Sequence, residues 1–205
     1  MHGRLITDNV LVTFETMHHV SQKKGEKVRE MALKLDMSKT YDRVEWVCLD
    51  KIMKKLGFDE KWRSLIMQCV TTVSYSIRIN GVPRGNIFPS RGIRQEDPLS
   101  PYLFILCAEG LSSLIKSSMA KGVLEGVVVC RGGPKLSHLF FVNDSLIFCK
   151  ASLEECDALQ QILKVYEDAS GQQLNRAKTF LFFNRNTPND IQEEIQQRFG
   201  AQVIK

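Results

Sequence analysis

The chain has 205 residues, 43% hydrophobic and 25% charged, which supports one domain with a core and excludes a disordered chain. Its formal net charge of +5 suits an anionic partner such as nucleic acid, but many ordinary domains carry as much, so charge alone selects no function. Six cysteines, Cys48, Cys69, Cys107, Cys130, Cys149 and Cys156, make no C-x-x-C pair and no Cys/His cluster with zinc spacing, so free, buried, reduced thiols in an intracellular compartment are expected.

The opening Met1-His2-Gly3-Arg4 leads into a mixed polar segment unlike a signal peptide. No run of 18 uncharged apolar residues occurs, so no membrane span is expected. The pair His18-His19 lacks nearby partner ligands and reads as structural or exposed. A charged cluster from Gln22 to Glu30 around Gly25 reads as a solvated loop. Met31 to Asp36 alternates, as a short strand does. Tyr41 to Leu56 carries Val44, Val47, Cys48, Ile52 and Leu56 at helical spacing, and Gly57 stops that helix. Glu60 to Thr71 is a second helix, with Trp62, Leu65, Ile66, Cys69 and Val70 on one side.

At Ser74 the period changes to two, and Asn80-Gly81 supplies the favoured two-residue turn of a hairpin. Pro98 to Met119 reads as a long core helix, with Asp97 as its cap and Pro98 at the first helical position. Leu136 to Cys149 holds two apolar runs flanking Asn143-Asp144, a second hairpin with a tight turn. Ser152 and Glu155 have capping-box spacing ahead of a helix that Gly171 ends. Lys178 to Phe183 is an apolar strand, and Pro188 to Phe199 is helical by propensity. This order defines an α+β fold, an antiparallel sheet with helices on one face.

Asp36 ends a strand, Asp144 sits in a hairpin turn and Asp97 precedes a helix. Each has an ordinary structural explanation, because Asp and Asn are favoured in turns and caps. The alternative is a shared metal site: phosphoryl transfer uses two divalent ions about 3.5–4 Å apart, held by carboxylates from rigid elements. Asp36 and the 143–144 hairpin converge only if their strands are neighbours.

Five segments carry a family resemblance. Residues 3–14 (GRLITDNVLVTF), 33–46 (LKLDMSKTYDRVEW), 91–104 (RGIRQEDPLSPYLF), 138–149 (HLFFVNDSLIFC) and 169–183 (ASGQQLNRAKTFLFF) resemble, in order, motifs of the reverse transcriptases of non-LTR (LINE-type) retrotransposons, most closely plant-type ones. The resemblance implies a right-hand polymerase palm with part of the fingers. Residues 1–30 and 58–96 fall on the fingers side and 31–57 and 97–205 on the palm side, with the upstream fingers and the thumb expected to be missing. It also implies DNA synthesis from dNTPs on an RNA template and a DNA primer, with Mg2+ as cofactor and Mn2+ as an alternative to it; no membrane partner is expected, in line with the lack of a long apolar run. Asp36 matches the first metal-binding aspartate, and Asn143 and Asp144 occupy the two aspartate positions of the hairpin. Tyr41 matches the aromatic gate that disfavours ribonucleotides. Arg94 and Gln95 match positions lining the incoming nucleotide and template, and Lys178 a lysine that helps protonate the leaving pyrophosphate. The ordinary explanations are a half-buried tyrosine at Tyr41 and a solvated charge at Lys178.

The chain departs from the pattern at three positions. The family's Phe-Ala-Asp-Asp is Phe141-Val142-Asn143-Asp144 here, leaving a neutral carbonyl where a carboxylate holds metal. The family's glycine after the glutamine is Glu96, and its small residue before the gate is Thr40. A copy with weak or no polymerase activity is therefore expected. The competing expectations are a non-catalytic nucleic-acid-binding remnant and a non-functional retroelement fragment.

Overall fold

The computed structural model describes residues 6–22, 29–141 and 144–204. The chain divides into two compact units, Met1–Ser38 with Leu111–Val165 and Leu174–Lys205, and Lys39–Gly110 with Tyr166–Gln173.

The first unit is built on a five-stranded sheet in the order β6-β7-β1-β8-β9. Its strands are β1 (Glu30–Asp36), β6 (His138–Phe140), β7 (Asp144–Lys150), β8 (Phe180–Phe183) and β9 (Gln202–Ile204). All neighbours pair antiparallel except β8 and β9. Leu33 of β1 sits in register with Ile147 on one side and Leu181 on the other, and all three are fully buried. Period two puts Met31, Leu33 and Leu35 together on that wholly buried face. A face this apolar needs a covering layer, and the unit's helical segments supply buried Leu111, Ile115, Leu159, Leu163 and Ile195. The opposite face changes along its length. At the Ala32 and Phe148 end it is closed by Val20, with Val12 and Met17, from α1 (Ile6–Gln22), together with Val127. At the Asp36 and Asp144 end it carries half-exposed polar residues. A small sheet of β4 (Val127–Val128) and β5 (Lys135–Leu136) completes the unit.

The capping box ahead of α5 (Leu153–Ser170) is half formed. Ser152 Oγ accepts the Glu155 N–H at 3.3 Å. The Glu155 carboxylate does not return to Ser152. It accepts the backbone N–H groups of Glu125 at 3.2 Å and Lys150 at 3.1 Å, tying the loop at Glu125 to the end of β7. Burial pushes its pKa above the usual carboxylate range, against those two hydrogen bonds.

The second unit contains α2 (Trp46–Lys55), α3 (Glu60–Thr71) and the hairpin of β2 (Tyr75–Ile79) and β3 (Val82–Ile87). Asn80 and Gly81, at φ 50° and 82°, make the turn expected of that dipeptide. Its core is Val44, Leu49, Met53, Ile66, Val70, Ile93, Leu103, Phe104 and Cys107. Trp62 and Leu65 of α3, expected on the apolar side, are exposed instead. The first helix also starts later than expected, at Trp46 and not Tyr41. The carbonyls of Tyr41 and Val44 accept from Ile93 N at 2.9 Å and Gly92 N at 2.8 Å, so they are not free for helical partners. Similarly, α4 (Ser100–Ala120) opens at Ser100, not Pro98. The Asp97 carboxylate accepts the Leu99 N–H at 2.9 Å and caps a turn that precedes the helix.

By length and composition α4 is apolar enough to cross a membrane. Its stripe of Leu103, Cys107, Leu111 and Ile115 is buried, as in a core helix. All six cysteines are free. Cys107, Cys149 and Cys156 are buried, but Cys69 and Cys130 are exposed, contrary to expectation.

Candidate active site

Asp36 closes β1, and Asp144 opens β7 directly opposite it in register. Asp144 is therefore a strand residue and not, as expected, a turn residue. The Phe141 N–H donates to the Asp144 carbonyl at 2.8 Å. Directly opposed residues of an antiparallel pair point to the same face, with Cβ atoms about 4.5–5.5 Å apart. The two carboxylates are thus neighbours at the open end of the sheet, both half-buried. Asn143 lies outside the described residues, as does Val142.

The segment after α5 is pinned to the same place. Met37 bridges Leu174, and the Asn175 N–H donates to the Asp36 carbonyl at 2.9 Å. Lys178 follows at the end of a 3-10 turn, Arg176–Lys178, and is exposed. It does not begin the strand, which starts at Phe180, because the Lys178 and Thr179 N–H groups donate back to Asn175 and Arg176.

Among the described residues no three His, Cys, Asp or Glu side chains form a metal cluster. The described donor set is the Asp36–Asp144 pair, with the Lys34 ammonium 3.0 Å from Asp144 Oδ2. Hard divalent ions prefer charged oxygen ligands. Two adjacent carboxylates supply charged oxygens of the kind such an ion takes.

Tyr41, Arg94, Gln95 and Glu96 all belong to the second unit. Tyr41 occupies a turn, half-buried, its ring edge-on to Phe104 at 5.8 Å. The hydrogen bond from Ile93 N to its carbonyl links it to the chain that carries the other three. Gln95 Nε2 donates to Asp42 Oδ1 at 3.2 Å, and Arg94 lies 3.9 Å from the Asp97 carboxylate. Trp46 Nε1 donates to the Gly92 carbonyl at 2.7 Å, a further tie between the two segments. The structure brings these four residues into one neighbourhood of that unit.

Glu96 has φ 64°. The left-handed region costs a residue with a Cβ roughly 1–2 kcal/mol, and glycine almost nothing. This explains in backbone terms why a glycine belongs at this position. Glu96→Gly is expected to stabilise the protein by about 1 kcal/mol. A urea unfolding curve whose midpoint does not rise would refute this.

Three residues in these neighbourhoods were not singled out from sequence. Period two places Lys34 on the face of Asp36, but only the register brings it to Asp144. Nothing local marks Asp42 or Gln172. Gln172, fully buried, donates from Nε2 to the Thr40 carbonyl at 2.8 Å across more than a hundred residues of chain, and no local pattern encodes that.

The sheet, the opposed aspartates and the motif order define a palm-type polymerase fold. The chain belongs to the reverse transcriptase (RNA-dependent DNA polymerase) family, whose model matches residues 3–198. Over 67 residues it is 52% identical to an uncharacterized mitochondrial protein of Arabidopsis thaliana, covering 33% of this chain and 55% of that one. It is 27% identical over 158 residues to a Pol polyprotein from the type-1 retrotransposable element R2 of Popillia japonica, covering 77% of this chain and 20% of that one. A 149 kDa protein of transposon TX1 from Xenopus laevis is 24% identical over 177 residues, covering 86% of this chain and 13% of that one. The chain thus spans about half the length of the plant protein and a fifth or less of the retroelement proteins. Among solved structures, telomerase from Candida albicans superposes with a TM-score of 0.63 at 16% identity, covering 91% of this chain and 31% of that one. Apo telomerase from Candida tropicalis gives 0.61 at 16% identity, covering 89% and 36%. These two likenesses show the fold. Reverse transcriptases use divalent metal ions and act on nucleic acid templates.

Proposed function

We propose that this chain is the polymerase core of a non-LTR retroelement reverse transcriptase that extends a DNA primer on an RNA template with dNTPs and Mg2+ or Mn2+, and that Asn143 and Glu96 weaken it. The observation that carries this reading is Asp36 opposite Asp144 on adjacent strands. Sequence alone left that adjacency open, and metal-assisted phosphoryl transfer requires it.

In this reading Asp36 and Asp144 hold the divalent ions, which polarise the phosphate and the attacking 3′-hydroxyl when bound. Asn143 adds only a neutral oxygen. Lys178, on its 3-10 turn, supplies a proton to the leaving pyrophosphate. Tyr41 excludes a ribose 2′-hydroxyl by bulk, its ring held by Phe104. Arg94 and Gln95 line the nucleotide and template. Glu96 sets a negative charge where the phosphates pass. Residues 1–30 and 58–96 are assigned to the fingers side, 31–57 and 97–205 to the palm side.

The test is primer extension on an RNA template in Mg2+ and then Mn2+, beside Asp36→Asn. Extension above that blank is the expected result, weak in Mg2+. No extension in either metal from folded protein overturns the catalytic reading. The neutral Asn143 favours the second reading, a palm groove that binds nucleic acid without chemistry. RNA binding that weakens steeply with salt supports that reading.

A further inference from the structure

We propose that Lys34 is a built-in counter-cation of the metal site, standing on Asp144 in the metal-free protein and displaced when a divalent ion binds. This rests on reading Asp36 and Asp144 as the metal ligands.

Two carboxylates directly opposed on neighbouring strands repel each other. Without a cation, the register that assembles the site would work against itself. Lys34 lies two residues before Asp36 on the same face of β1 and diagonal to Asp144 across the β1–β7 pair. Diagonal neighbours are about 7–8 Å apart, within reach of a long side chain. The register places Lys34 between Leu146 on β7 and Phe180 on β8. Both are half-buried. An apolar row of this kind supports a lysine stem while its charged head reaches outward. The ammonium ends 3.0 Å from Asp144 Oδ2, with the two side chains 41% and 43% exposed.

That exposure decides the behaviour of the pair. Water screens it, so it is weak, and a doubly charged ion competes successfully for the same oxygen. The ammonium occupies Asp144 Oδ2, and an ion bound to the same carboxylate repels it at contact distance. Binding therefore favours a Lys34 swung away from Asp144. The charge count makes this matter more here than in the family pattern. Asp36 and Asp144 supply two negative charges and Lys34 returns one positive. An aspartate at position 143 would add a third negative charge, and Asn143 does not. In this chain Lys34 cancels half of the site's carboxylate charge.

The experiment is Mn2+ binding by electron paramagnetic resonance on the whole chain, with circular dichroism confirming the fold of each variant. Lys34→Met is expected to bind Mn2+ about tenfold more tightly, Lys34→Arg as the parent does, and Asp36→Asn to lose the site. The unsubstituted protein gives a reading that does not depend on a variant folding. On addition of Mn2+, acetylation of Lys34 by acetic anhydride, followed by mass spectrometry, is expected to rise as its ammonium is released. Lys34→Met binding no tighter than the parent, or Lys34 acetylation unchanged by Mn2+, while Asp36→Asn still loses the site, overturns the counter-cation and leaves the metal assignment standing. Mn2+ binding that survives in Asp36→Asn overturns the metal assignment itself.

Discussion

Asn143→Asp, with this segment placed in a full-length polymerase of the family, is expected to raise primer extension in Mg2+ by at least roughly 100-fold. Loss of a residue that only supports a metal ligand typically costs about 10–100-fold, and loss of a ligand itself costs more. Mg2+ sheds water reluctantly and is usually held by carboxylates, so a neutral amide oxygen replaces little of what is lost. The neighbouring position, Asp144, already opposes Asp36, so the substitution adds charge to a site whose other carboxylates are in place. The assay compares the two segments on one primed RNA template, with Asp36→Asn as blank. Because Mn2+ tolerates poorer ligand sets than Mg2+, the gap is expected to narrow in Mn2+. Equal extension by both segments in Mg2+ would show that the lesion lies elsewhere, with Glu96 the next position to revert.

The parts of the fold that could be read from sequence are those set by local chemistry. Helix α3 runs from Glu60 to Thr71 as its spacing predicts, and the Asp59 side chain caps it by accepting the Lys61 N–H at 2.9 Å. The Asn80-Gly81 turn follows because both residues tolerate positive φ. The misread boundaries arise where a backbone group already has a distant partner. Tyr41 and Val44 look helical until their carbonyls meet Ile93 and Gly92. The strand β9 was unreadable because three residues, Gln202–Ile204, carry no periodicity, and its pairing beside β8 comes from tertiary structure. The candidate site divides the same way. Asp36 was identifiable by motif, but its adjacency to Asp144 depends on strand order, which local pattern does not encode. Lys34 was overlooked because a lysine in an alternating strand normally reads as the solvent-facing position, and only the register places its ammonium on Asp144.

Gly171→Ala is expected to cost about 3 kcal/mol, the sum of two separate penalties. Gly171 has φ 74°, which charges an alanine roughly 1–2 kcal/mol. The added Cβ would also overlap the Arg43 carbonyl oxygen and lie 2.8 Å from Glu45 Cγ. Backbone oxygen cannot rotate away as a side chain does, and overpacking of this kind costs about 1–3 kcal/mol more. The surrounding bonds show why the chain cannot simply retreat. Glu45 N donates to the Ser170 carbonyl at 2.9 Å, Gln172 Nε2 to the Thr40 carbonyl at 2.8 Å, and Gln172 N to Ser170 Oγ at 3.2 Å. Residues 170–172 thus brace the turn that carries Tyr41, and only glycine lets the two backbones approach so closely. Gly81→Ala separates the two penalties, since Gly81 has φ 82° and nothing within 4 Å of an added Cβ. It should show the conformational cost alone, roughly 1–2 kcal/mol. Urea unfolding of both variants measures the difference, and hydrogen exchange at the Glu45 amide reports whether the brace has opened. If Gly171→Ala costs no more than Gly81→Ala, the close approach is not what requires glycine there. If it costs the larger amount and the Glu45 amide loses protection, the glycine is a packing requirement of the turn beneath Tyr41.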